Sequence, residues 1–193
     1  IQFPCDDADT PQGLVVTPRS AYWQLGFPVT QNHDCYEVSA LPLAELGLGW
    51  WQEMIGAGAY NPARGDGINV GVLDSGCGPN PFLAHVRDLG SFVDGRHDGT
   101  PGAGFDITGH GSHVLGIIGS RPEQPNQYAG LAPGVALYSG RVFGASGTCT
   151  NGDLAFGIDA MTGWLDNGLD LLNLSLGAPY QTEVVLDAVK AAT

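Results

Sequence analysis

Positive charge is scarce in this sequence: six scattered arginines and one lysine stand against 20 acidic residues, a formal net charge of -13. Such a balance repels phosphate backbones and anionic membrane surfaces, and no local basic cluster offsets it, so neither nucleic acid nor membrane is expected as a partner. Long apolar runs are missing as well. No stretch approaches the roughly 20 apolar residues that cross a bilayer, which predicts a soluble protein. The four cysteines, Cys5, Cys35, Cys77 and Cys149, lie far apart, without the close pairs that zinc sites use. There is no initiating methionine, the first residue being Ile1, and no basic segment leading into a short apolar one, so a signal or pro-segment is expected to have been removed. Together with an even cysteine count and little lysine, this suggests a secreted, extracellular or periplasmic protein, with Cys5–Cys35 as an expected disulfide.

What is present is enough for one ordinary domain. The chain has 193 residues, 43% of them hydrophobic, which suffices for a sizeable core. Residues 1–60 are irregular and rich in proline, with one helix expected near "LAELGLGWWQEMI", and read as an N-terminal extension or a retained pro-segment. Residues 61–193 have a different texture. "INVGVL" is a β-branched apolar run that ends in the glycine-rich "DSGCGPNP", the pattern of a buried parallel strand. A loop-rich stretch to Phe105 is followed by a helix containing Val114, Leu115, Ile117 and Ile118, then a strand in "VALYSGRVF" and a helix over "DLAFGIDAMTGWLDNG". A third strand, "LDLLNLSL", precedes "TEVVLDAVKAA", whose Val184, Val185, Ala188, Val189 and Ala192 share one helical face. This alternation predicts an α/β fold, a mainly parallel sheet with helices on both faces.

In such sheets ligands gather at the carboxyl ends of the strands. Asp74, His110 and Ser175 fall at such ends or at the neighbouring helix start. His110 and His113 are spaced by three, but a zinc-protease helix spaces its histidines by four with a glutamate between, and "HGSH" has neither, so no metal is expected there. Each residue alone has an ordinary explanation: aspartate after a strand caps a turn, and histidines cap or pack. Together they fit a base and its orienter. The carboxylate fixes the imidazole tautomer, and the other ring nitrogen then removes a hydroxyl proton. From the residues alone, Ser175 is the candidate nucleophile.

The segments "INVGVLDSG", "GHGSHVLGIIGS", "GLAPGVALYSGRVF" and "LDLLNLSLG", in that order, resemble the subtilisin-like serine proteases, or subtilases, over about residues 67–193. The resemblance implies that Asp74 and His110 are the triad aspartate and histidine, with Ser75 and Ser112 beside them and His113 in a supporting role. It assigns Ser175 differently: Ser175, Leu176 and Gly177 become a wall of the substrate pocket, and Gly147, Thr148 and Cys149 the edge segment that pairs with the other side of a polypeptide substrate. The family's nucleophile lies in a "G-T-S-M-A" type block and its oxyanion asparagine after "A-A-G-N"; neither motif occurs in these residues.

The resemblance therefore implies the N-terminal half of a catalytic domain, its serine and asparagine supplied by a companion chain or a C-terminal part. No cofactor is required. The family's aspartate in a calcium-binding "H-P-D-L" stretch is replaced by "NPFL", with Phe82 there, while "SRPEQPNQYAG" offers Glu123, Asn126 and carbonyls as an optional calcium site. Cys77 and Cys149 lie close enough to the groove for a thiol reagent to act by crowding it. The rival functions are a peptide ligase or macrocyclase using the same groove, and an inactive peptide-binding pseudoprotease.

Overall fold

The computed structural model describes residues 52, 55–57, 61–121, 129–164, 168–177 and 182–193. Most of the helix expected near "LAELGLGWWQEMI", the Cys5–Cys35 pairing, and Glu123 and Asn126 lie outside them. The chain divides into two units, Ile1–Asn61 with Pro122–Ala129 and Pro62–Arg121 with Gly130–Thr193. The second holds every element described below.

Its order is β1 (Asn69–Asp74), β2 (Arg87–Ser91), α1 (His110–Gly119), β3 (Ala136–Arg141), α2 (Asn151–Trp164), β4 (Leu171–Asn173) and α3 (Glu183–Ala191). The four strands form one sheet in the order β2-β3-β1-β4, and every pairing is parallel. This is the expected α/β arrangement.

The apolar run of β1 has no polar alternation because both faces of that strand are covered. Val70 and Val72 pack with Val114 and Leu115 of α1 and with Leu83, Val135 and Leu137. Leu73 points to the opposite face, where it meets Leu154, Ala155, Ile158 and Met161 of α2, Ala188 of α3, Phe92 and Val142. Successive side chains of a strand alternate between faces, so one short run supplies both cores.

Glycine brings α2 close to the sheet. A Cβ on Gly140 would lie 2.7 Å from Phe92, 2.8 Å from Leu73 and 3.1 Å from Met161, and one on Gly71 would strike the Met161 sulfur. We expect Gly140→Ala to lower stability by about 1–3 kcal/mol through overpacking. A denaturant midpoint equal to that of the wild type would contradict the close approach.

The structure refines three local readings of the sequence. The stretch to Phe105 is not all loop, since it contains β2. That strand, "RDLGS", carries only one large apolar residue, its Gly90 has φ 91°, and its pairing with β3 shifts register between Asp88 and Ser91. An edge strand of this kind shows no alternation to detect. In the third expected strand, only Leu171–Asn173 pairs, with β1. Of the apolar face of α3, Ala188 is buried and Val185 half-buried, whereas Val184 is 51% and Val189 37% exposed.

Candidate active site

Asp74 closes β1, and its backbone is fixed there because its carbonyl accepts from Val142 N at 2.9 Å. The side chain is 1% exposed. Its Oδ1 accepts a hydrogen bond from Ser75 N at 2.7 Å and lies 2.7 Å from His110 Nδ1. A carboxylate has no proton to give, so the hydrogen between them sits on Nδ1, and Nε2 of the neutral ring is left as the acceptor. His110 is partly open, with a side-chain exposure of 24%. Among the described residues, no hydroxyl or thiol is hydrogen-bonded to Nε2.

Two glycines set this geometry. Gly109, just before α1, has φ 87°, a left-handed backbone that other residues adopt only with strain. Gly111 lies against the loop leaving β1: a Cβ there would run into the Gly76 carbonyl. The first turn of α1 can therefore sit directly on the strand exit, which brings His110 to Asp74.

Sequence reasoning missed a third residue, Asp106. Its Oδ1 accepts from Ser75 Oγ at 2.7 Å, Thr108 N at 3.0 Å and Gly109 N at 2.8 Å. Its Oδ2 accepts from Ser112 N at 2.8 Å and Ser112 Oγ at 2.5 Å. Burial opposes the charge on this carboxyl, but the hydrogen bonds from Ser112, Ser75 and Thr108 outweigh it and hold the pKa below the usual carboxylate value. A lowered folded-state pKa adds stability above the unfolded value of about 3.9, and that stability is lost as pH falls through the folded value. Acid unfolding should thus steepen below about pH 4, and Asp106→Asn should flatten that limb; identical acid profiles would contradict the assignment.

His113 stands on α1 with Nδ1 buried and, among the described residues, without a hydrogen-bond partner. Burial, then repulsion from His110, lowers its pKa, so it is a neutral neighbour of the pair. Among the described residues, no group of three or more His, Cys, Asp or Glu side chains is placed to hold a metal ion.

Both predicted substrate strips leave carboxyl ends of strands, on the same rim as Asp74. Gly147, Thr148 and Cys149 follow β3 in a turn braced by Gly144 N to Thr148 O and Gly147 N to Gly144 O, both 2.9 Å. Ser175, Leu176 and Gly177 follow β4. Leu176 packs on the α2 core, while Ser175 Oγ accepts from Asn173 Nδ2 at 2.9 Å. No hydrogen bond among the described residues joins Ser175 to His110, so the structure brings Asp74 and His110 together without Ser175. The thiols of Cys77 and Cys149 are free, and each is pushed up to about 11. Burial is the main cause, followed by Asp88 and Asp106 for Cys77 and by Asp153 for Cys149. Protonated at neutral pH, neither is an activated nucleophile.

Comparison with known proteins identifies the family. Residues 65–192 match the subtilase family. Subtilisin Savinase of Lederbergia lenta is 36% identical over 130 residues, 67% of this chain and 44% of that protein. Subtilisin DY of Bacillus licheniformis is 33% identical over 129 residues, again 67% and 44%. An intracellular serine protease of Paenibacillus polymyxa is 34% identical over 143 residues, 72% of this chain and 42% of the relative. The chain thus spans less than half the length of these relatives. The aligned region runs from ahead of β1 through α3 and includes both members of the hydrogen-bonded pair: the chain belongs to the subtilase family.

Proposed function

We propose that residues 61–193 form the N-terminal half of the catalytic domain of a serine endopeptidase, with residues 1–60 as an extension or pro-segment. The serine nucleophile and oxyanion asparagine are carried by polypeptide outside these 193 residues, as a companion chain or a C-terminal part. The observation that carries this reading is the 2.7 Å bond between a buried carboxylate and His110 Nδ1.

Asp74 keeps the ring in the tautomer whose Nε2 is free to act. Nε2 takes the serine proton as the serine oxygen attacks the peptide carbonyl, then returns it to the departing amine as the scissile C–N bond breaks. Water repeats the sequence on the acyl-enzyme. Asp74 stays ionised and stabilises the imidazolium between the two transfers. The strips Ser175–Gly177 and Gly147–Cys149 hold the substrate backbone between them, which demands little of its sequence while pockets select side chains.

The surface supports completion by further polypeptide. Leu171, on β4 at the edge of the sheet among the described residues, is 52% exposed, and Val184 of α3 is 51% exposed; exposed apolar groups of this kind are ordinarily covered. No cofactor enters the reaction, and calcium bound by residues 120–130 is proposed only as a stabiliser. Nucleic acid and membrane are not partners in this reading, in keeping with the net charge of -13. Among the described residues no helix is long and apolar enough to cross a membrane. We place the protein outside the cytoplasm on its acidic, lysine-poor composition, a placement that cell fractionation decides.

The reaction is tested by incubating the complete protein with a peptide substrate and an excess of an amine-bearing peptide. Hydrolysed product is expected. A joined product would assign the ligase reaction instead, and binding without turnover a pseudoprotease.

A further inference from the structure

We propose that Asp106 is a positioning residue for the Asp74–His110 pair: its carboxylate makes both neighbouring serines donate inward, and so turns them into acceptors that staple the exit of β1 to the first turn of α1. This rests on the protease reading for its kinetic consequence, but not for its structural one.

The argument is one of hydrogen-bond direction. A serine hydroxyl has one proton and two lone pairs, and an ionised carboxylate can only accept. Ser75 Oγ gives its proton to Asp106 Oδ1 at 2.7 Å and accepts from Gly111 N at 2.9 Å. Ser112 Oγ gives its proton to Asp106 Oδ2 and accepts from Gly78 N at 2.8 Å. The two relays run in opposite directions. Ser75 belongs to the strand exit and catches the helix; Ser112 belongs to the helix and catches the strand exit. One buried anion terminates both.

The place of the staple in the chain gives it its function. Ser75 directly follows Asp74, and Gly111 directly follows His110, so the Gly111–Ser75 bond runs beside the 2.7 Å bond between the reacting pair. The same carboxylate also caps Thr108 N and Gly109 N, the residues that lead into His110. The strand exit at Ser75, the turn into His110 and the first turn of α1 at Ser112 are therefore all tied to Asp106. An amide cannot replace it. Asparagine has one accepting oxygen and one donating nitrogen, so in either orientation the nitrogen faces Ser112 N or Gly109 N and a donor meets a donor.

The test uses the complete, hydrolysing protein. Asp106→Asn is expected to lower kcat about 100-fold, the scale of an ångström-sized misplacement. KM should change less than about threefold, since no substrate contact is removed. Ser75→Ala and Ser112→Ala, which each break one relay and decide the matter if Asp106→Asn does not fold, should each lower kcat about tenfold. Ser75→Thr and Ser112→Thr, which keep the hydroxyl, should restore it.

The accompanying readout is the downfield proton resonance of His110 Nδ1–H. It should be present in the wild type, shifted or broadened in the alanine variants and in Asp106→Asn, and recovered in the threonine variants. Unchanged kcat and an unchanged resonance in these variants would overturn the staple, as would a loss confined to KM. Wild-type protein that shows the resonance but no hydrolysis would overturn the protease reading; its loss in Asp106→Asn would still support the staple.

Discussion

Replacing His110 by alanine is expected to reduce kcat of the complete protein by about 10⁵–10⁶-fold, since members of a catalytic unit fail together rather than in proportion. Among the described residues, the imidazole is the only group hydrogen-bonded to Asp74 Oδ1 through a side chain. Among the described residues, no second base stands at that oxygen. The substitution also strands a carboxylate that is 1% exposed without its charge-assisted partner, so some loss of stability should accompany the loss of rate. KM should hold, because the substrate strips leave β3 and β4 independently of α1. Ser175→Ala is the matching control. Among the described residues its hydroxyl accepts only from Asn173, so the substitution should lower kcat far less than His110→Ala. Comparable losses would make Ser175 the nucleophile.

Asp74→Asn is expected to cost about 10⁴-fold in kcat. The amide keeps the shape of the carboxylate but carries both a donor and an acceptor. Ser75 N already donates to Oδ1 at 2.7 Å, which favours keeping oxygen there and turning the nitrogen elsewhere. If nitrogen instead faces His110, Nδ1 becomes the acceptor and Nε2 carries the hydrogen, the tautomer that cannot take a proton from serine. In either orientation the negative charge that stabilises the imidazolium is gone. Steady-state kinetics should show the whole effect in kcat. A loss of less than about tenfold would mean that Asp74 is a structural cap and not the orienter.

The Asp74–His110 pair was legible because chemistry and local geometry coincide in a few adjacent residues. "INVGVLD" ends a strand that is buried on both faces with a carboxylate, and "GHGSH" starts a helix with an imidazole between glycines. Both signals are local, and both stand in the structure. Asp106 was not legible because its importance lies in whom it meets: Ser75 is 31 positions away, and only the fold brings it to the carboxylate that also holds Ser112. Strand β2 was hidden for a related reason, since an edge strand with exposed Arg87 and Asp88 and a left-handed Gly90 has no periodic pattern. Ser175 shows the opposite case. Its place after an apolar run made it a candidate from the residues alone, yet position at a strand end does not supply a hydrogen bond to His110.

The most direct measurement is mass spectrometry of the complete protein after exposure to a fluorophosphonate, with His110→Ala alongside. A single adduct is expected on a serine outside residues 1–193, absent from the His110→Ala variant. No adduct on the wild-type protein, or an adduct on Ser175, would contradict the assignment of Asp74 and His110 as the orienter and base of a serine supplied from elsewhere.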